Sequence, residues 1–140
     1  MDKIAVVYWS GTGNTEKMAR KVVEGAKANG VIADLFTAAE FNADKMDEYE
    51  AIAFGCPSMG AEQLEDSEFE PMFIQCEAKL RGKRIALFGS YGWGDGEWMR
   101  NWEENCRDCG AILVCDYVIC NDAPDADAEE ACMALGKALA

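Results

Sequence analysis

Residues 4–16 read IAVVYWSGTGNTE, and this stretch decides the architecture. Ile4, Ala5, Val6, Val7 and Tyr8 form an apolar run with no polar alternation, the pattern of a strand covered on both faces. Ser10, Gly11, Thr12, Gly13, Asn14 and Thr15 follow, a turn dense in side chains that hydrogen-bond and loosened by two glycines. Beyond it Met18, Ala19, Val22, Val23 and Ala26 fall on one side of a helix, with Lys17, Arg20, Lys21, Glu24 and Lys27 on the other. Asn29 and Gly30 end that helix.

The same alternation repeats along the chain. Further strands are expected at 31–36, 51–55, 84–88 and 111–119. Phe69, Met72, Phe73, Cys76 and Leu80 make a second helical stripe, entered through Ser67 and Glu70 at capping-box spacing. Trp98, Met99, Trp102, Cys106 and Cys109 make a third, closed by Gly110, and Ala131, Cys132, Leu135, Ala138 and Leu139 make the last. Residues 41–49 are weakly periodic and are read as one more helix. Strands alternating with helices need crossover connections, which are right-handed almost without exception. The expected fold is therefore α/β, a single doubly wound domain over residues 1–140, with five parallel strands and helices on both faces.

Composition narrows the chemistry. The 140 residues carry 13 Lys plus Arg against 26 Asp plus Glu, a net charge of −13, which argues against nucleic acid and anionic membranes as partners. Histidine is absent, and with it imidazole acid/base catalysis, the Ser-His-Asp triad and Cys/His metal sites. No apolar run approaches the ~20 residues of a spanning helix, and the N-terminus carries no secretory signal pattern, so the cytoplasm is the expected location. The seven cysteines, Cys56, Cys76, Cys106, Cys109, Cys115, Cys120 and Cys132, are an odd set without framework spacing and read as reduced thiols. Cys106 and Cys109 form a C-x-x-C, but they close a helix on its apolar face, whereas redox pairs open one.

Open α/β sheets bind ligands beyond the carboxyl ends of their strands. In the first loop, Gly13 is followed by Asn14, not the Lys of a Walker loop, and Glu16 stands where a dinucleotide fingerprint needs Gly or Ala. What remains suits one terminal phosphate held by amides and hydroxyls at a helix start. After the third strand come Ser58, Met59, Gly60, Ala61 and Glu62, with Gly60 free to adopt positive φ. After the fourth come Ser90, Tyr91, Gly92 and Trp93, an aromatic pair set among four glycines and placed to cover something planar. Together the three loops describe a flat heterocycle bearing a phosphate.

At these residues the chain resembles the flavodoxins, specifically the short-chain clostridial kind. The carrying segments are YWSGTGNTE at 8–16, GCPSMGAEQLE at 55–65 and LFGSYGWGDGEWM at 87–99, in that order, with the fifth strand uninterrupted over 111–119. The resemblance covers the whole chain and implies strand order 2-1-3-4-5 with bound FMN. It places the FMN phosphate on residues 10–15, Trp93 on the outer face of the isoalloxazine, Met59 on the inner face, Glu62 at the flavin N3 hydrogen, and Ser90, Tyr91 and Gly92 along the pyrimidine edge. Ser58, Trp9, Asn121 and Asp122 would stand near the cofactor. Ala61 departs from relatives that often carry a polar residue there.

The resemblance further implies a low-potential one-electron carrier, not an enzyme, cycling between semiquinone and hydroquinone. If the peptide of Met59 and Gly60 turns over, its carbonyl would accept from the N5 hydrogen of the reduced flavin. The acids Glu62, Glu65, Asp66, Glu68 and Glu70, and again Asp122, Asp125, Asp127, Glu129 and Glu130, read as solvated faces or as an acidic rim that draws basic redox partners into transient complexes with a monomer. The same site would also serve an accessory protein dedicated to one enzyme, or a small FMN-dependent NAD(P)H/quinone reductase. A receiver domain would need acids where Trp9 and Ser10 stand, and a small phosphatase would need Arg where Glu62 stands.

Overall fold

Strand β1 (Lys3–Tyr8) is an inner strand of the computed structural model, which describes residues 2–140, pairing in parallel with β2 (Ile32–Thr37) on one side and β3 (Ala51–Gly55) on the other. β4 (Arg84–Tyr91) pairs with β3, and the far edge is made by β5 (Ile112–Leu113) and β6 (Val118–Asn121), both parallel to β4. The order β2-β1-β3-β4-β5 is the one expected. Helices α1 (Asn14–Ala28) and α4 (Ala126–Leu139) cover one face of the sheet, and α2 (Phe69–Glu77) and α3 (Glu97–Asp108) cover the other.

The alternation of side chains along each strand separates two cores. Ala5, Val7, Ile52, Phe54, Ile85 and Leu87 face α2 and α3, where Phe69, Phe73 and Trp102 pack edge-on and stacked with Phe54. Ile4, Val6, Ala51, Ala53, Ala86 and Phe88 face α1 and α4. That second core is rich in alanine, and its two helices meet at glycines. A Cβ at Gly25 would run into the Met133 carbonyl, and one at Gly136 into the Val22 carbonyl. The two glycines bring the α1 and α4 backbones into direct contact.

Four expectations are corrected. The strand placed at 31–36 begins one residue later, at Ile32. The strand placed at 84–88 continues to Tyr91, because β6 pairs residue by residue with Phe88, Gly89, Ser90 and Tyr91. The fifth strand is not continuous over 111–119. Leu113 pairs with Ile85 and Val118 with Phe88, so four residues on the edge oppose two on β4, a bulge that breaks the ladder. Residues 41–49 form no α-helix. Two 3-10 segments, Ala38–Glu40 and Ala43–Glu48, are separated by extended backbone at Phe41 and Asn42, and the Asn42 side chain accepts from Lys45 N at 3.2 Å.

Among the described residues no helix is long and apolar enough to cross a membrane. Gly25→Ala and Gly136→Ala are each expected to destabilise the fold by about 2 kcal/mol through overpacking. Urea denaturation measures this, and stability unchanged in both variants would show that the two helices separate freely.

Candidate functional site

One cavity at the carboxyl edge of the sheet is lined by Trp9, Gly11, Thr12 and Asn14 from the first loop, Pro57, Ser58 and Met59 from the second, and Ser90, Tyr91, Gly92 and Asp122 from the edge of β4 and β6. All three loops singled out in the sequence meet there. The first wraps the start of α1. Gly13 takes the N-cap position with φ of 95°, and no side chain bonds from that position to the first turn. The Ser10 hydroxyl accepts from Gly13 N at 3.0 Å and closes the loop on itself. The first-turn amides beyond it point outward without a protein cap, an arrangement that recognises anions.

Two further contacts tie this loop to its neighbours. Thr15, fully buried, shares a hydrogen bond of 3.1 Å with the Ser90 hydroxyl, and Ser90 N donates to Thr15 Oγ1 at 3.4 Å. Trp9 Nε1 donates to Glu68 Oε1 at 3.1 Å. Ser10, Gly13 and Thr15 thus shape the loop from behind, while Gly11, Thr12 and Asn14 face the cavity.

The second loop folds into a narrow turn. Met59 N donates to Gln63 O at 2.8 Å and Gln63 N to Met59 O at 2.9 Å, with Gly60 and Glu62 both at positive φ between them. The Met59 carbonyl that the sequence reading offers to a flavin is therefore engaged by Gln63, and any reorientation of the Met59–Gly60 peptide must first break that bond. Met59 itself is 38% exposed and forms a cavity wall. Gly60, Ala61 and Glu62 do not line the cavity. The Glu62 carboxylate accepts from Glu97 N at 3.2 Å, serving the first turn of α3, and it occupies the space that a Cβ at Gly94 would fill.

In the third loop Tyr91 is half-buried, with its ring 5.5 Å from that of Trp98, so it anchors the loop as well as facing the cavity. Trp98 Nε1 in turn donates to Cys56 O at 3.2 Å. Trp93 is 64% exposed and stands outside the cavity lining. Asp122, at φ of 56°, donates its backbone N–H to Tyr91 O at 2.8 Å, and Asn121 Nδ2 donates to the same carbonyl at 3.4 Å. Pro57 was overlooked in the sequence; its buried position beside the last residues of β3 is what brings it to the cavity.

No lysine or arginine lines the cavity. Arg20 is turned to Glu16 at 2.7 Å, and Arg100 to Asp95 at 3.0 Å. The carboxylates of Glu62, Asp95 and Glu97 lie within 4.8 Å of one another. An anion bound here would be held by dipoles alone and ringed by acids, which disfavours any further negative charge. The first acidic stretch is less of a surface than expected. Glu65 turns inward and accepts from Ser67 N and Glu68 N and from Phe69 N, each at 2.8 Å, as well as from the Ser67 hydroxyl. Glu65, not the Ser67–Glu70 box expected from spacing, caps α2. Burial pushes its pKa up, but the bonds from Ser67, Phe69 and Glu68 outweigh burial and leave the carboxyl below its ordinary value.

All seven cysteines are free. Burial pushes the Cys106 thiol up to about 12, and Cys109, also raised by burial, donates to Glu77 Oε2 at 3.5 Å. Neither favours a thiolate, so the C-x-x-C packs as core.

A doubly wound sheet with this cavity at its edge defines a class of flavin-binding electron-transfer domains. The family model described as "Flavodoxin" matches residues 6–136. The flavodoxin of Clostridium beijerinckii is 44% identical over 135 residues, covering 96% of this chain and 97% of its own. That of Megasphaera elsdenii is 44% identical over 137 residues, covering 98% of each. The solution structure of the two-electron reduced Megasphaera elsdenii flavodoxin superposes with a TM-score of 0.90 over 97% of both chains. The chain belongs to the flavodoxin family, whose members are FMN-binding electron carriers rather than enzymes.

Glu65→Gln is expected to cost about 2 kcal/mol at neutral pH through loss of the charged cap. Because the folded pKa of Glu65 lies below its unfolded value, the carboxylate's contribution is complete above about pH 4.3 and disappears as pH falls through the folded pKa. The gap between wild type and variant in denaturant titrations should therefore narrow in acid, and a pH-independent gap would remove Glu65 from that role.

Proposed function

We propose that residues 1–140 form one FMN-binding domain with the cofactor seated in the cavity at the carboxyl edge. FMN, when bound, supplies a ring that accepts and releases electrons one at a time. The observation that carries the reading is the junction within a single cavity of an uncapped helix start rich in hydroxyls with walls made of Trp9, Pro57, Met59 and Tyr91. The phosphate suits the amides of α1 together with Ser10, Thr12, Asn14 and Thr15, and the ring suits the apolar walls. Gly60, Ala61 and Glu62 form the turn beside the ring, Ser58, Ser90 and Gly92 border its polar edge, and Trp93 covers its outer side. The Gly11–Gly13 backbone brings the amides close.

A titration of apoprotein with FMN, followed by quenching of flavin fluorescence and then by stepwise anaerobic reduction, tests this. Stoichiometric binding and two separate one-electron stages are expected. Failure to quench, or reduction in one two-electron stage, would overturn it.

The carrier hands electrons to other proteins, and we infer that it does so as a cytoplasmic monomer meeting basic docking surfaces transiently. The exposed acids Asp66, Glu68, Asp122, Asp125, Asp127 and Glu130 all lie in segments that follow strand ends on the cofactor edge, and the chain's net charge is −13. Long-range attraction of this kind raises association rates and is screened over about 8 Å at physiological salt. Electron transfer to a basic haem protein should slow at least tenfold between roughly 10 mM and 500 mM salt. Stopped-flow rates independent of salt would exclude the acidic rim as the docking surface.

A further inference from the structure

The phosphate-binding loop has a support that does not itself enter the cavity. We propose that Glu68 is a positioning residue for this loop, holding the Trp9 indole against Gly11 and thereby setting the direction of the amides that receive the FMN phosphate. The inference rests on the FMN reading above.

The geometry forms a chain of contacts. The Trp9 backbone is fixed by its N–H donating to Gly55 O at 3.0 Å. Its ring is fixed at the far end by Nε1 donating to Glu68 Oε1 at 3.1 Å. Between those two anchors the ring lies over Gly11, with its Cη2 and Cζ3 atoms 3.0 and 3.2 Å from where a Cβ would stand. A side chain at position 11 would therefore crowd the indole, and the glycine lets the ring lie beside the loop backbone. Glu68 is itself held, because its N–H donates to Glu65 Oε1 at 2.8 Å and Glu65 is buried. The indole forms a wall of the cavity with Gly11 and Thr12 on one side, and with Glu68 it lines the groove behind, next to Ser10.

Physical chemistry gives the bond a role that its charge opposes. A carboxylate beside a phosphate dianion repels it, so Glu68 acting merely as a charge would weaken FMN binding. As a hydrogen-bond acceptor it restrains the two torsions of Trp9 and keeps Gly11 in one conformation, and a site that recognises phosphate through fixed dipoles depends on that conformation. Alanine removes acceptor and charge together, so the two roles predict opposite outcomes for that substitution, whereas glutamine keeps the acceptor oxygen and removes only the charge.

The test compares wild-type, Glu68→Ala and Glu68→Gln holoproteins by FMN affinity, by the phosphorus-31 resonance of bound FMN and by flavin absorption. Glu68→Ala should weaken FMN about fivefold, as loss of one partly exposed charge-assisted bond would. Its phosphorus resonance should move while the absorption bands stay in place, and Glu68→Gln should restore the resonance and bind FMN at least as tightly as wild type. Trp9→Phe combined with Glu68→Ala should weaken FMN no more than Trp9→Phe alone. Tighter FMN binding in Glu68→Ala than in wild type, an unmoved phosphorus resonance in Glu68→Ala, or equal disturbance of phosphate and ring signals would each overturn the proposal. Wild-type protein that does not take FMN would instead remove the reading on which it rests.

Discussion

The backbone hydrogen bonds of the sheet do not stop where the strands stop, and the site depends on this. Trp9 N donates to Gly55 O at 3.0 Å, Cys56 N to Phe88 O at 3.1 Å and Ser58 N to Ser90 O at 3.0 Å. Pairing this close needs residues without side chains at two places. The Phe88 ring fills the space beside Gly55, and the Cys56 carbonyl fills the space beside Gly89. With those glycines the three loops leave the sheet already aligned to one another, and Thr15 with Ser90 locks the first to the third in the interior.

The two faces of the sheet divide the remaining work. The face under α1 and α4 is rich in alanine and has two helix glycines at the helix contact, and it packs α1 closely against α4 and the strands. The other face carries the rings of Phe36, Phe41, Phe54, Phe69, Phe73 and Trp102, and it supports the turn at Gly60, the capping carboxylate of Glu65 and the aromatic loop. In the proposed seating of FMN, the first face lies behind the phosphate and the aromatic face behind the ring.

The fold was legible because each element signalled its own period. β1 and β3 were read to within a residue, since buried parallel strands are continuous apolar runs. The errors fell where side chains competed with backbone or pairing partners decided the end. Ser90 and Tyr91 read as loop, yet β6 draws them into β4. Residues 41–49 are only weakly periodic, and Asn42 caps a 3-10 segment there in place of the expected helix. Position and composition located the three loops that meet at the cavity, and eight of the fifteen expected residues line it. Where a side chain turns was not legible. Nothing in the spacing marks Glu65 as an inward cap, sends Glu62 to the α3 backbone, or brings Pro57 to the cavity wall, because each depends on contacts set by distant segments.

The starts of α1 and α3 are built alike and served differently. Both helices begin on a left-handed glycine, Gly13 or Gly96, with no side chain bonding from the cap position. At α3 the Glu62 carboxylate supplies the missing acceptor. At α1 no side chain does so, and the start of this helix is left to an outside anion, the place proposed above for the FMN phosphate. A ligand that binds only the folded state stabilises it by about 2.7 kcal/mol when present at a hundredfold excess over its dissociation constant. On the proposed seating, flavin supply and protein stability would be linked through one helix turn.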